Sequence, residues 1–119
     1  MDIPDESQVI EFLKEFKDIV ANGRGLDVIP RIKNRQALNE LGLTAKIRKN
    51  EILNLTHRDY SKGPKPDYDK PGEVWEFGKH IGDNDVYIKL KIAKEGSIKI
   101  AKCISFHKAQ HPITYPLKE

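Results

Sequence analysis

The chain has 119 residues and a mass of 13.6 kDa, which suits one compact domain over residues 1–119 and excludes a multi-domain machine. Charged residues make up 33% and the AVILMFWYC set 38%, a balance that excludes wholesale disorder and gives a heavily solvated surface with a net charge of only +3. The single cysteine, Cys103, excludes an internal disulfide or a thiolate metal cluster, and no window approaches the roughly 18 apolar residues of a membrane span, so a soluble, cytoplasmic protein with no membrane partner is expected.

Residues 1–20 carry six acids and two bases, and the start, MDIPDESQ, is acidic where a signal peptide would be basic. Within SQVIEFLKEFKDIVANG (7–23), Val9, Ile10, Phe12, Leu13, Phe16, Ile19 and Val20 recur at helical spacing, with Gly23 beyond the end. That spacing predicts an amphipathic helix. LDVIPRI (26–32) is short, β-branched and interrupted by Pro30, the pattern of an edge strand or extended arm. A helical hairpin is expected next: Asn34 caps RQALNEL, Gly42 ends it, and Thr44 caps AKIRKNEILNL, with Leu38, Leu41, Ile47, Ile52 and Leu53 inward. Residues 21–65 hold ten bases and four acids. From 56 to 72 the composition turns to proline and glycine without apolar periodicity, which reads as a long loop that is either mobile or covers something.

Three strand-like runs follow: EVWEFGKHI (73–81), VYIKLKIA (86–93) and SIKIAKCISF (97–106). They form an antiparallel meander with hairpin turns at 82–85 and 94–96. A four-residue first turn pairs Ile81 with Val86, and hence Trp75 with Ile92, Phe77 with Leu90 and Glu76 with Lys91. A three-residue second turn pairs Ala93 with Ser97. Ile88, Leu90, Ile92, Ile98, Ile100 and Ile104 then share an apolar face. The other face collects Glu76, His80, Tyr87, Lys89, Lys91, Lys99, Cys103, Ser105 and His107. Lys102 falls on the apolar side, so a bulge or an exposed edge is expected there. The expected architecture is α+β: a small antiparallel sheet, with 26–32 as a further edge strand, packed against the N-terminal helices.

Antiparallel sheets often leave one face wet, so lysines there need no special role. A carboxylate, two imidazoles, a phenol and several ammonium groups nonetheless suit phosphodiester chemistry. Cleaving RNA at its 2′-hydroxyl needs a base, an acid for the leaving 5′-oxygen, and cations for the growing phosphorane charge. The basic blocks at 21–65 and at 86–119, the latter with seven bases and two acids, suit a polyanion. Tyr60, Tyr68 and Trp75 are candidates for base stacking, with Trp75 placed in the core by its alternation. His107 sits at the mouth of the polar face; His80 adjoins a hairpin turn and His57 a turn or cap. His107 and His111 stand four apart, but Pro112 disfavours a helix and no carboxylate lies at ligand spacing. No metal and no cofactor are expected.

LTHRDYSKGP (55–64), VWEFGKHI (74–81), VYIKLKI (86–92), CISFH (103–107) and HPITYPLK (111–118), in that order, resemble the MqsR-like toxins of bacterial type II toxin–antitoxin systems, within the RelE-like ribonuclease group. The resemblance implies a RelE-like fold and metal-independent cleavage of messenger RNA, with a cognate antitoxin protein as partner. The family's strand tyrosine falls on Tyr87 and the polar residue after its strand tryptophan on Glu76, a glutamine in better-known members. Its basic residue after the paired aromatic falls on or beside Ser61, with Lys62 the nearest base, and its closing Ser-Phe-Lys becomes Ser105-Phe106-His107. The expected catalytic groups are therefore His107, Tyr87, Glu76 and Lys62, and the expected RNA contacts are Lys89, Lys91, Tyr60 and His80. The alternative is a non-catalytic module that binds RNA or protein on the same basic sheet face.

Overall fold

The computed structural model describes residues 3–118, so residues 1, 2 and 119 of the expected domain lie outside it. The first helix, α1 (Glu6–Asn22), starts at a capping box: Asp5 Oδ1 accepts the Gln8 N–H at 3.0 Å, and Gln8 Oε1 accepts the Asp5 N–H at 3.0 Å. Val9, Phe12, Leu13, Phe16 and Val20 bury one stripe of it, while Ile10 stays on the surface. Phe12 stacks on Trp75 at a centroid distance of 4.6 Å, which fastens the helix to the sheet. No helix is long and apolar enough to cross a membrane, among the described residues.

The fold is α+β, with a five-stranded mixed sheet in the order β1-β5-β4-β3-β2. The strands are β1 (Leu26–Val28), β2 (Tyr60–Pro66), β3 (Glu73–Ile81), β4 (Asn84–Glu95) and β5 (Ile98–Lys108). The sheet is not purely antiparallel as expected, because β1 runs parallel to β5, pairing Leu26–Val28 with Ala101–Cys103. Its three residues end ahead of Pro30, which suits an edge position. Residues 56–72 are not one loop: a 3-10 turn at His57–Asp59 leads into β2, which pairs antiparallel with β3 through two register shifts. Gly63, inside β2, has φ 110°, and a Cβ there would stand 2.7 Å from the Val74 carbonyl oxygen. Glycine is what lets the bulged strand approach β3.

Both hairpin turns are two residues long, shorter than expected. Ile81 pairs with Asn84 around Gly82-Asp83, so Glu76 faces Lys89, Trp75 faces Leu90 and Phe77 faces Ile88. This two-residue slip from the expected register leaves every side chain on its face. At the second turn Glu95 pairs with Ile98 and Ala93 with Ile100, an odd slip that reverses the first half of β5. Cys103 joins the helix-side core, Lys99 reaches Glu15 on α1 at 2.5 Å, and Lys102 moves to the opposite face beside Lys91. A bulge opposite Lys89-Leu90 absorbs Ile104 and restores the phase, returning Ser105 and His107 to the face of Lys89 and Tyr87.

Asn34 holds that bulge in place. It lies in the first turn of α2 (Ile32–Leu41), whose N-cap position falls on Arg31, with no side-chain cap, rather than on Asn34, and it is 1% exposed. Its Nδ2 donates to the carbonyls of Ile29 and Ile104 at 2.9 Å each, and its Oδ1 accepts the Phe106 N–H at 2.9 Å. Where β1 stops, one amide side chain continues the ladder along β5. Gly42 (φ 68°) ends α2, and Thr44 Oγ1 accepts the Ile47 N–H at 3.1 Å to start α3 (Ala45–Leu53). Ile52 is buried, and Leu41 and Leu53 pack against the core, but Ile47 is exposed rather than inward.

Candidate functional site

The site occupies the sheet face opposite α1. Glu76 on β3 stands across from Lys89 on β4, and Lys89 in turn from Ser105 on β5; one rung along, Tyr87 stands across from His107. Glu76 is 6% exposed, and its Oε1 accepts the Tyr87 hydroxyl hydrogen at 2.7 Å. Its Oε2 is ion-paired with the Lys65 ammonium from β2, a charge contact and not a well-aligned hydrogen bond. Burial works against the carboxylate charge, yet the Lys65 and Tyr87 contacts and the Lys89 charge outweigh it and hold the Glu76 carboxyl below its ordinary value.

Burial, the hydrogen bond to Glu76 and the Glu76 charge all push the Tyr87 phenol well above its ordinary value, against a smaller pull from the Arg31 guanidinium. At neutral pH the pair is therefore a carboxylate held by a neutral hydroxyl. The His107 ring lies 5.5 Å from that of Tyr87, centroid to centroid, and its Nδ1 is 2.9 Å from the Lys108 carbonyl oxygen. A carbonyl only accepts, so Nδ1 carries the hydrogen and Nε2 is left to take or give a proton. The order is a carboxylate, a phenol it orients, an imidazole with one unengaged nitrogen, and flanking ammonium groups.

The structure brings Glu76, Tyr87, His107 and Lys89 together and puts three other candidates elsewhere. Lys62, on β2, stands across from Glu76 but is exposed, and Lys65 is the ammonium that meets the Glu76 carboxylate. Tyr60 is 2% exposed in the core, its hydroxyl donating to the Gly63 carbonyl at 2.5 Å, so its ring offers no face to a base. Lys91 is 3% exposed and donates to Asp67 Oδ2 and to the Pro71 carbonyl, each at 2.7 Å; it ties down the connection after β2. His80 sits at the hairpin, 3.1 Å from Asp85. Between it and Glu76, Gly78 lies under the C-terminal segment: a Cβ there would meet Tyr115 Oη at 2.6 Å and Ile113 Cγ2 at 2.7 Å. The residues that sequence reasoning missed are Lys65 and Arg31. Arg31 falls among the ten bases of residues 21–65, and Lys65 in the aperiodic stretch.

Beside the cluster on this face is a groove of about 410 Å³. One wall is the connection 66–71 and the other is Ile29 and Arg31; Val74, Ala93 and Ile104 contribute apolar floor. Seven bases and three acids line it, so its field is cationic. Cys103 is not a site: burial pushes its thiol up to about 12, and no solvent reaches it. Among the described residues, no three His, Cys, Asp or Glu side chains converge as metal ligands would. In comparison with known proteins, the chain matches no family model, no curated protein and no solved structure.

Proposed function

We propose that this chain is an endoribonuclease, a toxin of the MqsR-like kind with a RelE-like fold, that cleaves single-stranded messenger RNA in the cytoplasm and is restrained by a cognate antitoxin. The observation that carries the proposal is the gathering of the His107 ring, the Tyr87–Glu76 pair with its Lys65 ammonium, and Lys89 across from Glu76 on one sheet face. In the proposed reaction His107 Nε2 takes the proton from a 2′-hydroxyl, whose oxygen attacks the adjacent phosphorus. The bond to the 5′-oxygen breaks, leaving a 2′,3′-cyclic phosphate, and the departing oxygen is protonated by water or by Tyr87. Lys89 and Lys65 offset the charge on the non-bridging oxygens, and Glu76 orients Tyr87 and holds Lys65.

The test is cleavage of a panel of labelled RNAs in EDTA by the purified protein and by three variants. His107→Ala is expected to lose about two to four decades of rate with RNA affinity retained. Tyr87→Phe removes only the hydroxyl and is expected to lower turnover more than binding, whereas Lys89→Ala weakens both. Full activity in His107→Ala would overturn its role. RNA binding without cleavage by the unaltered protein would favour the non-catalytic module.

A further inference from the structure

We infer that the groove between the 66–71 connection and Arg31 is a subsite for one unpaired nucleotide flanking the phosphate that the His107 cluster cleaves. The inference rests on the ribonuclease proposal for its position in the reaction, but not for the binding itself.

Two residues belong to both places. Lys89 lines the groove and stands across from Glu76, and Lys65 lines the groove and pairs with Glu76. Along β4, this face passes from Tyr87 through Lys89 and Lys91 to Ala93, with successive side chains about 7 Å apart. A strand of RNA with its reacting phosphate at Lys89 therefore carries its neighbouring nucleotide over Lys91 and Ala93, into the groove.

Size and lining suit one nucleotide. The volume of about 410 Å³ lies near the lower end of the roughly 300–1,000 Å³ usual for small-ligand sites, room for a base and its sugar and not for a stacked run. Three of the seven lining bases are already engaged: Lys91 with Asp67, Lys65 with Glu76, and Lys102 with Asp27 at 3.8 Å. Arg31, Lys70, Lys89 and Lys94 make no salt bridge among the described residues and are placed to meet phosphate. Val74, Ala93 and Ile104 give the floor an apolar surface for the flat face of a base. Tyr68 at the rim is 92% exposed, an aromatic ring that the fold does not use and that a base can stack on. A paired base would bring its complement against both walls, so the groove selects a base free of its helix.

The probe is a mixed-sequence single-stranded 2′-fluoro oligonucleotide, which lacks the attacking hydroxyl and stays intact, compared with the same strand annealed to its complement. Its affinity is measured for the unaltered protein, for Ala93→Leu, which fills the floor, and for Lys70→Glu with Lys94→Glu, both on exposed positions. Single-strand binding is expected to weaken about tenfold in each variant, with a shallower salt dependence in the charge-reversed one. The duplex is expected to bind weakly and to be indifferent to Ala93→Leu. Equal single-strand affinity in all three proteins, or equal loss of duplex binding, would overturn the subsite. Cleavage of ordinary RNA is followed in parallel. Groove-dependent binding without cleavage would refute the ribonuclease proposal and leave the subsite standing; cleavage at an unchanged kcat/KM in all variants would do the reverse.

Discussion

Replacing Asn34 with leucine, a side chain of similar size without hydrogen-bonding groups, tests whether one amide holds the end of β5. The change strands the Phe106 N–H and the Ile104 carbonyl in a place that is 1% exposed, together with the part-buried Ile29 carbonyl. Each buried backbone group left without a partner costs about 1–3 kcal/mol. Taken in the lower half of that range, since the Ile29 carbonyl is only part-buried, three such losses come to about 4–5 kcal/mol; offset by about 1–2 kcal/mol from burying leucine, they give a net loss of about 3 kcal/mol. Against a total stability of about 5–15 kcal/mol this is a large fraction, and with a slope near 2 kcal/mol/M it moves the urea midpoint down by about 1.5 M. Asn34→Asp sharpens the test. It keeps the acceptor for Phe106 but turns a carboxylate toward two carbonyls, so at neutral pH it is expected to be at least as damaging. Acidification should partly relieve it, since a protonated carboxyl can donate to one of them. Because the same amide holds the bulge that returns His107 to Tyr87, the proposed RNA cleavage is expected to fall in folded Asn34→Leu protein as well. A loss below about 1 kcal/mol in the leucine variant would refute the reasoning.

Stability is expected to respond to acid through Asp67 and Glu76. Lys91 holds the Asp67 carboxyl below its ordinary 3.8, and the contacts of Glu76 outweigh burial to hold it below 4.5. Depressed folded-state values contribute stability that is present above the unfolded values and is lost as pH falls through the folded ones. Thermal melts should therefore be flat from neutral pH to about 5 and fall below about 4; a Glu76→Gln, Asp67→Asn double variant with an unchanged acid limb would contradict this. Gly78→Ala should cost about 1–3 kcal/mol, because its methyl group collides with Tyr115 and Ile113. Urea unfolding measures it, and an unchanged midpoint would show that the C-terminal segment moves aside at no cost.

The helices were legible because their signals are local. Val9, Phe12, Leu13 and Phe16 repeat at helical spacing, and Thr44 and Gly42 act within one turn of their own positions. Asn34 looked like a cap for the same reason, whereas its real partners lie some 70 residues away on β5, which no local pattern reports. β2 was hidden because an edge strand tolerates the glycine and prolines that erase alternation. The two hairpins show how unequal register errors are. The two-residue slip at Gly82 left the faces of β3 and β4 as expected, and the odd slip at Gly96 exchanged Cys103 for Lys102. Glu76, Tyr87, Lys89 and His107 share a face in the structure because the bulge at Ile104 cancels that second slip before Ser105. Lys65 and Arg31 come from elements that meet β3 and β4 only in three dimensions, so alternation within the meander had no means of finding them.

The place of β5 in the sheet has a consequence for how the chain comes into being. Leu26 pairs with Ala101, and the Asn34 amide waits for Ile104 and Phe106, so the earliest strand has no neighbour until the latest one exists. On a ribosome the first half of the molecule emerges as helices with nothing to cover, and native structure arrives late, after the most distant contacts close. His107 is threaded through the same final strand that completes the core, alongside Phe106. A nascent chain stopped short of β5 has neither a closed sheet nor the imidazole, so the groups proposed to cut RNA cannot meet before the protein that carries them has folded.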